Sequence, residues 1–344
     1  MTSGPLHIPQ RPIAAVYSPD SILQLAVPPI PPVSVGSRTR IATCADVGWF
    51  HHNRRLAVLN LGAEALHVYV FDPAVRSLSL AQTLSNRDGM QFYWPEQLSF
   101  SNNGRWLAIT NSKNDQSSIN LYAIDPFTQL VLPEPLLVIR HPHAVFHGVT
   151  FSPCSAYVVS ATMDAAGQLL IYKLQTEADG SLQAVLTQAI MNRYPPLKPK
   201  SAAFSADSSL IAICYSANGG AAQTHDYGTI AVYAFDPNTG TIRHEQPLSE
   251  LTDRPELAYN DAIGFTHDAE ASYLAVQSQS NDCVIFYAFD RASRQIDPHY
   301  LALGNPAAQL SFPHGLSWST DDRFLAVSNN GDDKVTIYAM TPDS

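Results

Sequence analysis

The sequence predicts an all-β fold: a seven-bladed β-propeller of four-stranded antiparallel blades. Three observations carry that prediction. An aromatic residue closes a short apolar run at Phe50, Phe100, Phe151, Phe204, Phe265 and Trp318, and a tyrosine marks a later run at Tyr69, Tyr122, Tyr172, Tyr233, Tyr287 and Tyr338. Both markers recur roughly every 50 residues, which is the range of propeller blades. Between them apolar and polar residues alternate at a period of two, as strands do and helices do not.

Taken in order, the copies read VGWFHHNRRLAVLN from Val47, LSFSNNGRWLAITN from Leu98, VTFSPCSAYVVSAT from Val149, AAFSADSSLIAICY from Ala202, IGFTHDAEASYLAV from Ile263 and LSWSTDDRFLAV from Leu316. The first two runs of each copy are joined by polar turn-formers such as Ser-Pro, Asn-Asn-Gly and Asp-Asp, which close tight antiparallel connections at little cost. A fourth run follows each tyrosine run, for example TIRHEQPL after PNTG at 237–240. Four strands per unit is the propeller pattern.

A weaker copy precedes the six: AAVYSPDSILQLAV from Ala14, then PVSVG, then RIATCADV, with Tyr17 in the anchor position. It brings the expected count to seven. The last copy ends just after its tyrosine run, so the N-terminal segment around Leu6 to Ile8 is expected to supply the outer strand of that blade. Such closure covers sheet edges that would otherwise invite pairing with other chains. Residues 1–344 are therefore read as a single seven-bladed β-propeller domain.

Composition excludes several classes. The net charge is −10 with no cluster of Lys or Arg, which argues against nucleic acid, because affinity for a phosphate backbone comes from neutralising it. No apolar run is long enough to span a bilayer, and residues 1–12 lack an apolar core with basic flanks, so a cytoplasmic location is expected and no membrane partner. Cys44, Cys154, Cys214 and Cys283 lie far apart without CxxC spacing and are read as free thiols. There is no GxSxG elbow, P-loop, GxGxxG or HExxH. No cofactor and no metal are expected; His141 and His143 resemble a metal cluster with His147 only at first sight, because they fall in a loop.

The innermost strand of each blade begins near one mouth of the central channel, so equivalent positions before these strands should form a ring. Four residues before each anchor stand Ile13, Asp46, Glu96, His147, Lys200, Asp261 and His314. Six of these seven are ionisable, in a chain that is only 15% Asp, Glu, Lys and Arg. Solvated loop residues at a mouth would also be polar. The variety of imidazole, ammonium and carboxylate converging on one cavity points instead to a reactive site. Two residues upstream lie Trp94, Tyr259 and Phe312, with Phe146 and Tyr194 near, and aromatic walls around convergent polar groups describe a small-molecule pocket.

On this reading His147 is the general base, His314 and Glu96 supply acid or orientation, and Lys200 stabilises a developing oxyanion. Asp46 and Asp261 position substrate with Trp94, Phe146, Tyr194, Tyr259 and Phe312. Asn60, Asn111, Gln277 and Asn329 are candidates for an outer polar shell. The segment Ser216 to Gly228 is a candidate lid carrying His225 and Asp226. The alternative is a non-catalytic propeller acting as a protein-interaction scaffold, since fold alone does not decide function.

With the repeats aligned, RHPHAVFHGVTFSPCSAYVVSATMDAAGQLLIYKL from Arg140 and SFPHGLSWSTDDRFLAVSNNGDDKVTIYAM from Ser311 resemble the seven-bladed β-propeller lactonase family, which includes 6-phosphogluconolactonase-like and muconate-lactonizing propellers. The resemblance extends over essentially the whole chain. It implies hydrolysis or closure of a lactone-like ring, and His147 and His314 fall where that family places polar residues around its central pocket. The family's inner-strand arginines, suited to phosphate or carboxylate, are missing here. The ring offers Lys200 and three acids instead, so a neutral or cationic, non-phosphorylated small molecule is expected.

Overall fold

The computed structural model describes residues 22–26, 43–217, 227–269, 272–304 and 308–340. These residues form six antiparallel sheets, ordered from channel to rim as they run in sequence except in the sixth, whose outer strand is the first of the chain. Blade 1 comprises Cys44–Phe50, Arg55–Asn60, Ala65–Asp72 and Ser77–Ser85. Blade 2 comprises Pro95–Phe100, Trp106–Asn111, Ser118–Ile124 and Val131–Ile139, and blade 3 Phe146–Phe151, Tyr157–Thr162, Gln168–Thr176 and Leu182–Met191. Blade 4 comprises Lys198–Phe204, Leu210–Ser216, Gly228–Asp236 and Ser249–Arg254, with the two-residue Thr241–Ile242 pairing beside the last. Blade 5 comprises Ile263–Phe265, Tyr273–Ser278, Cys283–Asp290 and Gln295–Gly304. Blade 6 comprises Pro313–Trp318, Phe324–Asn329 and Lys334–Ala339, with Ile22–Ala26 pairing antiparallel outside the last.

The count differs from the expected seven. Inner strands of successive blades touch around the ring, and that of blade 6 packs directly on that of blade 1. This contact leaves no gap for another sheet among the described residues. The strand that the weak copy contributes, Ile22–Ala26, pairs with Lys334–Tyr338, while Cys44–Phe50, which begins inside RIATCADV, is the inner strand of blade 1. Thus the copy's material is shared between two neighbours instead of forming its own sheet. Ile13, Tyr17 and the Leu6–Ile8 strand lie outside the described residues.

Both sequence markers have a physical role. All six tyrosines are buried between blades, and three tie a blade to the connection entering it. Tyr122 Oη accepts from the Gln91 amide at 3.2 Å, Tyr287 Oη donates to Glu256 Oε1 at 2.8 Å, and Tyr338 Oη donates to the Ala308 carbonyl at 2.5 Å. After the anchor aromatic, Ser101, Ser152, Ser205, Thr266 and Ser319 each close the turn by accepting, at the hydroxyl, the amide of the first residue of the next strand or its neighbour, at 2.9–3.2 Å. Blade 1 lacks that hydroxyl, and its turn runs through His51, His52 and Asn53, all at positive φ. Asn tolerates this conformation better than most residues.

Five of the six inner strands share one irregularity that positions the site. A register shift interrupts the pairing with the second strand between Cys44 and Asp46, Pro95 and Leu98, Phe146 and Val149, Pro199 and Ser201, and Pro313 and Leu316. These bulges fall at the ring positions, and a bulge re-aims side chains that strict alternation would send elsewhere. The inner strands approach so closely there that a Cβ on Gly148 would collide with the Lys200 carbonyl oxygen. Glycine is required at that point by space alone. Among the described residues no helix is long and apolar enough to cross a membrane.

Candidate functional site

The six ionisable ring residues converge as a buried cluster around the axis. Asp46, Glu96, His147, Lys200, Asp261 and His314 are all buried, the most open being Glu96 at 9%. Asp261 is the hub: Oδ1 lies 3.5 Å from Lys200 Nζ and 3.6 Å from His147 Nε2, and Oδ2 lies 3.7 Å from His314 Nε2. Glu96 Oε2 stands 3.8 Å from His314 Nε2. Asp46 faces blade 2, where its Oδ2 accepts the Leu98 amide at 2.8 Å.

Neighbouring groups hold this cluster in orientation. His147 Nδ1 is 3.1 Å from the Lys200 carbonyl oxygen, an acceptor only, so Nδ1 carries the hydrogen and the Nε2 lone pair faces the cluster. The Ser112 hydroxyl donates to Glu96 Oε1 at 2.9 Å, and Gln279 Nε2 donates to Asp261 Oδ2 at 2.6 Å. Lys200 Nζ also lies 3.2 Å from Met163 Sδ.

Burial and charge set the proton affinities. Burial pulls the His147 pKa below the usual imidazole value, with Asp261 opposing and Lys200 assisting. Burial would raise Asp261, but Lys200, His147 and His314 together outweigh it and hold this carboxyl below the usual range. Asp46 has neither Lys200 nor His147 acting on it, and burial raises it to about 7 against the Leu98 and Val47 amides and His314.

A pH dependence follows. A folded-state pKa of about 7 against an ordinary aspartate value of 3.8 means the folded protein holds the Asp46 proton more tightly than the unfolded chain. The resulting stability is fully present below about pH 4 and is lost as pH rises to about 7. His147, with its pKa lowered, acts in the opposite sense and loses stability as pH falls through about 6.5. In Asp46→Asn only the first contribution disappears. Urea unfolding should therefore show the stability difference, wild type minus variant, falling by on the order of a few kcal/mol between about pH 4 and pH 7. A difference independent of pH would mean that Asp46 keeps an ordinary pKa.

Gln97, which sequence reasoning did not select, closes the channel beneath the cluster. It reaches from blade 2 to the opposite blade 5, donating Nε2 to the Asp261 carbonyl at 2.7 Å, and accepts the Ser201 hydroxyl at Oε1 at 3.1 Å. A signal for it exists in the register: the residue after each ring position reads Val47, Gln97, Gly148, Ser201, Ala262 and Gly315. Five small residues, two of them glycine, surround one long amide. Beyond Gln97 a cavity of about 230 Å³ continues toward the other face, lined by Trp49, Leu98, Phe100, Phe151, Phe265 and Trp318 among others.

The aromatic expectations divide. Trp94 and Phe312 are exposed at 44% and 40%, two residues before Glu96 and His314. Tyr259 is half-buried, packs against Phe312 with centroids 5.8 Å apart, and has Lys200 Nζ 5.9 Å from its own centroid. All three hold positive φ, 58°, 56° and 47°, a costly conformation for aromatic residues that concentrates at functional sites. Phe146, by contrast, is fully buried between blades 2 and 3. It is one residue from His147 and points away from the channel, so it has no surface to offer a ligand. Tyr194 packs on Tyr215 and donates its hydroxyl to Glu250 of the outer strand of blade 4, which keeps it off the cluster.

The supposed outer shell is structural. Asn60 Oδ1 accepts the Ala63 amide at 2.7 Å, Asn111 Oδ1 the Tyr93 amide at 2.9 Å and Asn329 Oδ1 the Ser311 amide at 3.1 Å, each fixing a connection. Gln277 alone touches the site, donating to the His314 carbonyl at 2.8 Å. His143 is exposed in its loop and His141 half-buried, apart from the cluster. His225 and Asp226 lie outside the described residues, and all four cysteines are free.

A family model described as "Lactonase, 7-bladed beta-propeller" matches residues 139–344. Its blade number exceeds the six described here. No curated protein matches the chain. Among solved structures, the chain is similar to a putative 6-phosphogluconolactonase from Bacteroides fragilis (15% identity, 86% of this chain and 82% of that one, TM-score 0.59). It is similar also to the periplasmic gluconolactonase PpgL of Pseudomonas aeruginosa (20% identity, 87% and 82%, TM-score 0.57). The Cps50 (Swd1) propeller domain of Myceliophteria thermophila aligns at 12% identity over 93% of this chain and 100% of that one, with a TM-score of 0.55. At such identities these likenesses show the fold.

Proposed function

This chain belongs to the seven-bladed β-propeller lactonase family, and from that premise we propose that it is an enzyme of lactonase-like hydrolysis or cyclisation, acting on a non-phosphorylated small molecule at the buried ionisable cluster. The observation that carries the reading is the His147 ring: its Nδ1 hydrogen is committed to the Lys200 carbonyl, and burial favours its neutral form. An imidazole so held presents a fixed Nε2 lone pair as a base.

In the hydrolytic direction Nε2 of His147 takes a proton from water as the oxygen adds to the lactone carbonyl. Lys200 faces the negative charge that develops on the carbonyl oxygen. The ring C–O bond then breaks, and the leaving alkoxide takes a proton from the Glu96–His314 side. Asp261 keeps both imidazoles and the ammonium in register, Asp46 borders the substrate, and Trp94, Tyr259 and Phe312 offer flat faces at the entrance.

The charge balance supports the limit on substrate. Among the described residues the cation of this cluster is Lys200, already held against Asp261, while Glu96 and Asp46 add acidic groups. A phosphate dianion brought to such a buried site meets like charge at low dielectric. A neutral or cationic ligand does not. Four free thiols are consistent with a cytoplasmic setting.

The test is an assay of aldonic acid δ-lactones with and without a 6-phosphate. The neutral lactone is expected to be hydrolysed with the higher kcat/KM. Preference for the phosphorylated lactone would remove the substrate limit. No turnover of any lactone, with specific retention of a protein partner on the propeller, would favour the scaffold alternative.

A further inference from the structure

We propose that Glu96, His147 and His314 form a binding site for a first-row divalent cation of the zinc class, although the sequence alone suggested no metal. One potential ligand atom from each of these three buried residues lies within 4.8 Å of the others. Two imidazoles and one carboxylate are a donor set that such cations take with positions left open for water or substrate.

The separations are informative. Partners linked by a hydrogen bond stand about 2.7–3.2 Å apart, yet His314 Nε2 is 3.8 Å from Glu96 Oε2 and 3.7 Å from Asp261 Oδ2, and His147 Nε2 is 3.6 Å from Asp261 Oδ1. No direct hydrogen bond joins these groups. With bonds of about 2.0–2.1 Å, the ligand atoms of a tetrahedral site stand roughly 3.4 Å apart. The His314–Glu96 pair reaches that by moving a few tenths of an ångström.

Two further observations point to an occupant. His314 Nδ1 is buried without a hydrogen-bond partner, and so are Asp261 Oδ1 and, on the two amides that reach the site, Gln277 Oε1 and Gln279 Oε1. The ring of His314 is therefore fixed by a hydrogen bond at neither nitrogen, and a cation on Nε2 would supply the missing anchor. For His147 and Glu96, two of the three ligands, the surrounding bonds already have the form that metal ligands show. His147 donates from Nδ1 to a backbone carbonyl at 3.1 Å, and Glu96 keeps one oxygen on Ser112 at 2.9 Å while its other oxygen faces His314.

Occupancy by a cation is independent of lactone turnover as such but competes with the general-base role of His147. A cation on His147 Nε2 uses the lone pair assigned above to the proton, so loading and proton acceptance by that ring exclude one another.

The experiment is calorimetric titration of the chelator-dialysed full chain with Zn²⁺. One ion per chain is expected, with binding weakened at least 100-fold in His147→Gln and His314→Gln, about tenfold in Ser112→Ala, and unchanged in His141→Ala/His143→Ala. Absence of a stoichiometric site, or binding that survives both His→Gln changes, overturns the proposal. Should those variants fail to fold by circular dichroism, Co²⁺ added to the wild type decides. Strong visible bands of a low-coordinate nitrogen-ligated ion support the site, and the weak spectrum of hexaaquo-like Co²⁺ overturns it. Metal bound without lactone turnover would remove the enzymatic reading and leave the site, and turnover in protein without a Zn²⁺ site would do the reverse.

Discussion

His147→Ala should reduce lactone turnover by about 10²–10⁴-fold, the usual worth of a positioned general base, while leaving the fold intact. The expectation rests on a ring held from one side only: Nδ1 is bound to the Lys200 carbonyl at 3.1 Å, and Nε2 is 3.6 Å from Asp261, too far for a hydrogen bond that would occupy it. Because burial lowers the pKa of this ring, the neutral, proton-accepting form persists below the pH at which an exposed histidine charges. In wild type, kcat/KM should therefore hold as pH falls through about 6.5 and decline only further down. His147→Gln, which keeps an amide near the same volume without a base, should match the alanine variant in kcat. Steady-state kinetics across pH measure both. A loss below tenfold in both variants would remove His147 from the chemistry.

Asp261→Ala should be the most destabilising single change in the cluster, costing about 3–5 kcal/mol, because breaking a buried pair strands its partner. Lys200 is only 3% exposed, and its counter-charge is Asp261 at 3.5 Å. The lost carboxylate also leaves the Gln279 amide without its acceptor at 2.6 Å. The folded-state pKa of Asp261 is depressed, so its contribution is present above the unfolded carboxylate pKa and is lost as pH falls through the lower folded value. The deficit of the variant should accordingly shrink in acid, below about pH 4. Combining Lys200→Met with Asp261→Leu removes both charges and should recover most of the loss. Guanidinium unfolding of the wild type and both variants measures it, and a single-variant deficit under about 1 kcal/mol would mean that Lys200 is solvated after all.

The repeat was readable because its two markers have separate jobs that no other residue type does well. The tyrosines fill the inter-blade space and three of them latch the incoming connection, and in five copies the Ser or Thr after the anchor aromatic closes a turn. The ring register was readable for the same reason, since counting back from the anchor reaches Asp46, Glu96, His147, Lys200, Asp261 and His314 without any need to know the bulge. The blade number was not readable locally. AAVYSPDSILQLAV has the right order of residues, but whether a ring closes depends on the contact between Cys44–Phe50 and Pro313–Trp318, which no local pattern contains. Phe146 and Tyr194 were misplaced because nearness in sequence to His147 and Lys200 does not carry direction. One turns into the wall between blades, the other outward to Glu250.

Five bulges at five equivalent points have a consequence for how such a molecule changes over time. Where the ladder is interrupted, the side chain is no longer judged by its fit to a pleated neighbour, so residues of opposite charge and different shape occupy equivalent seats on one unaltered frame. Catalytic identity becomes a variable that can be rewritten seat by seat, while the repeats around it stay under a separate constraint. An innovation in substrate then requires no innovation in architecture, and libraries confined to these five bulged seats should return folded proteins far more often than libraries of equal size placed one residue earlier, in the walls between blades.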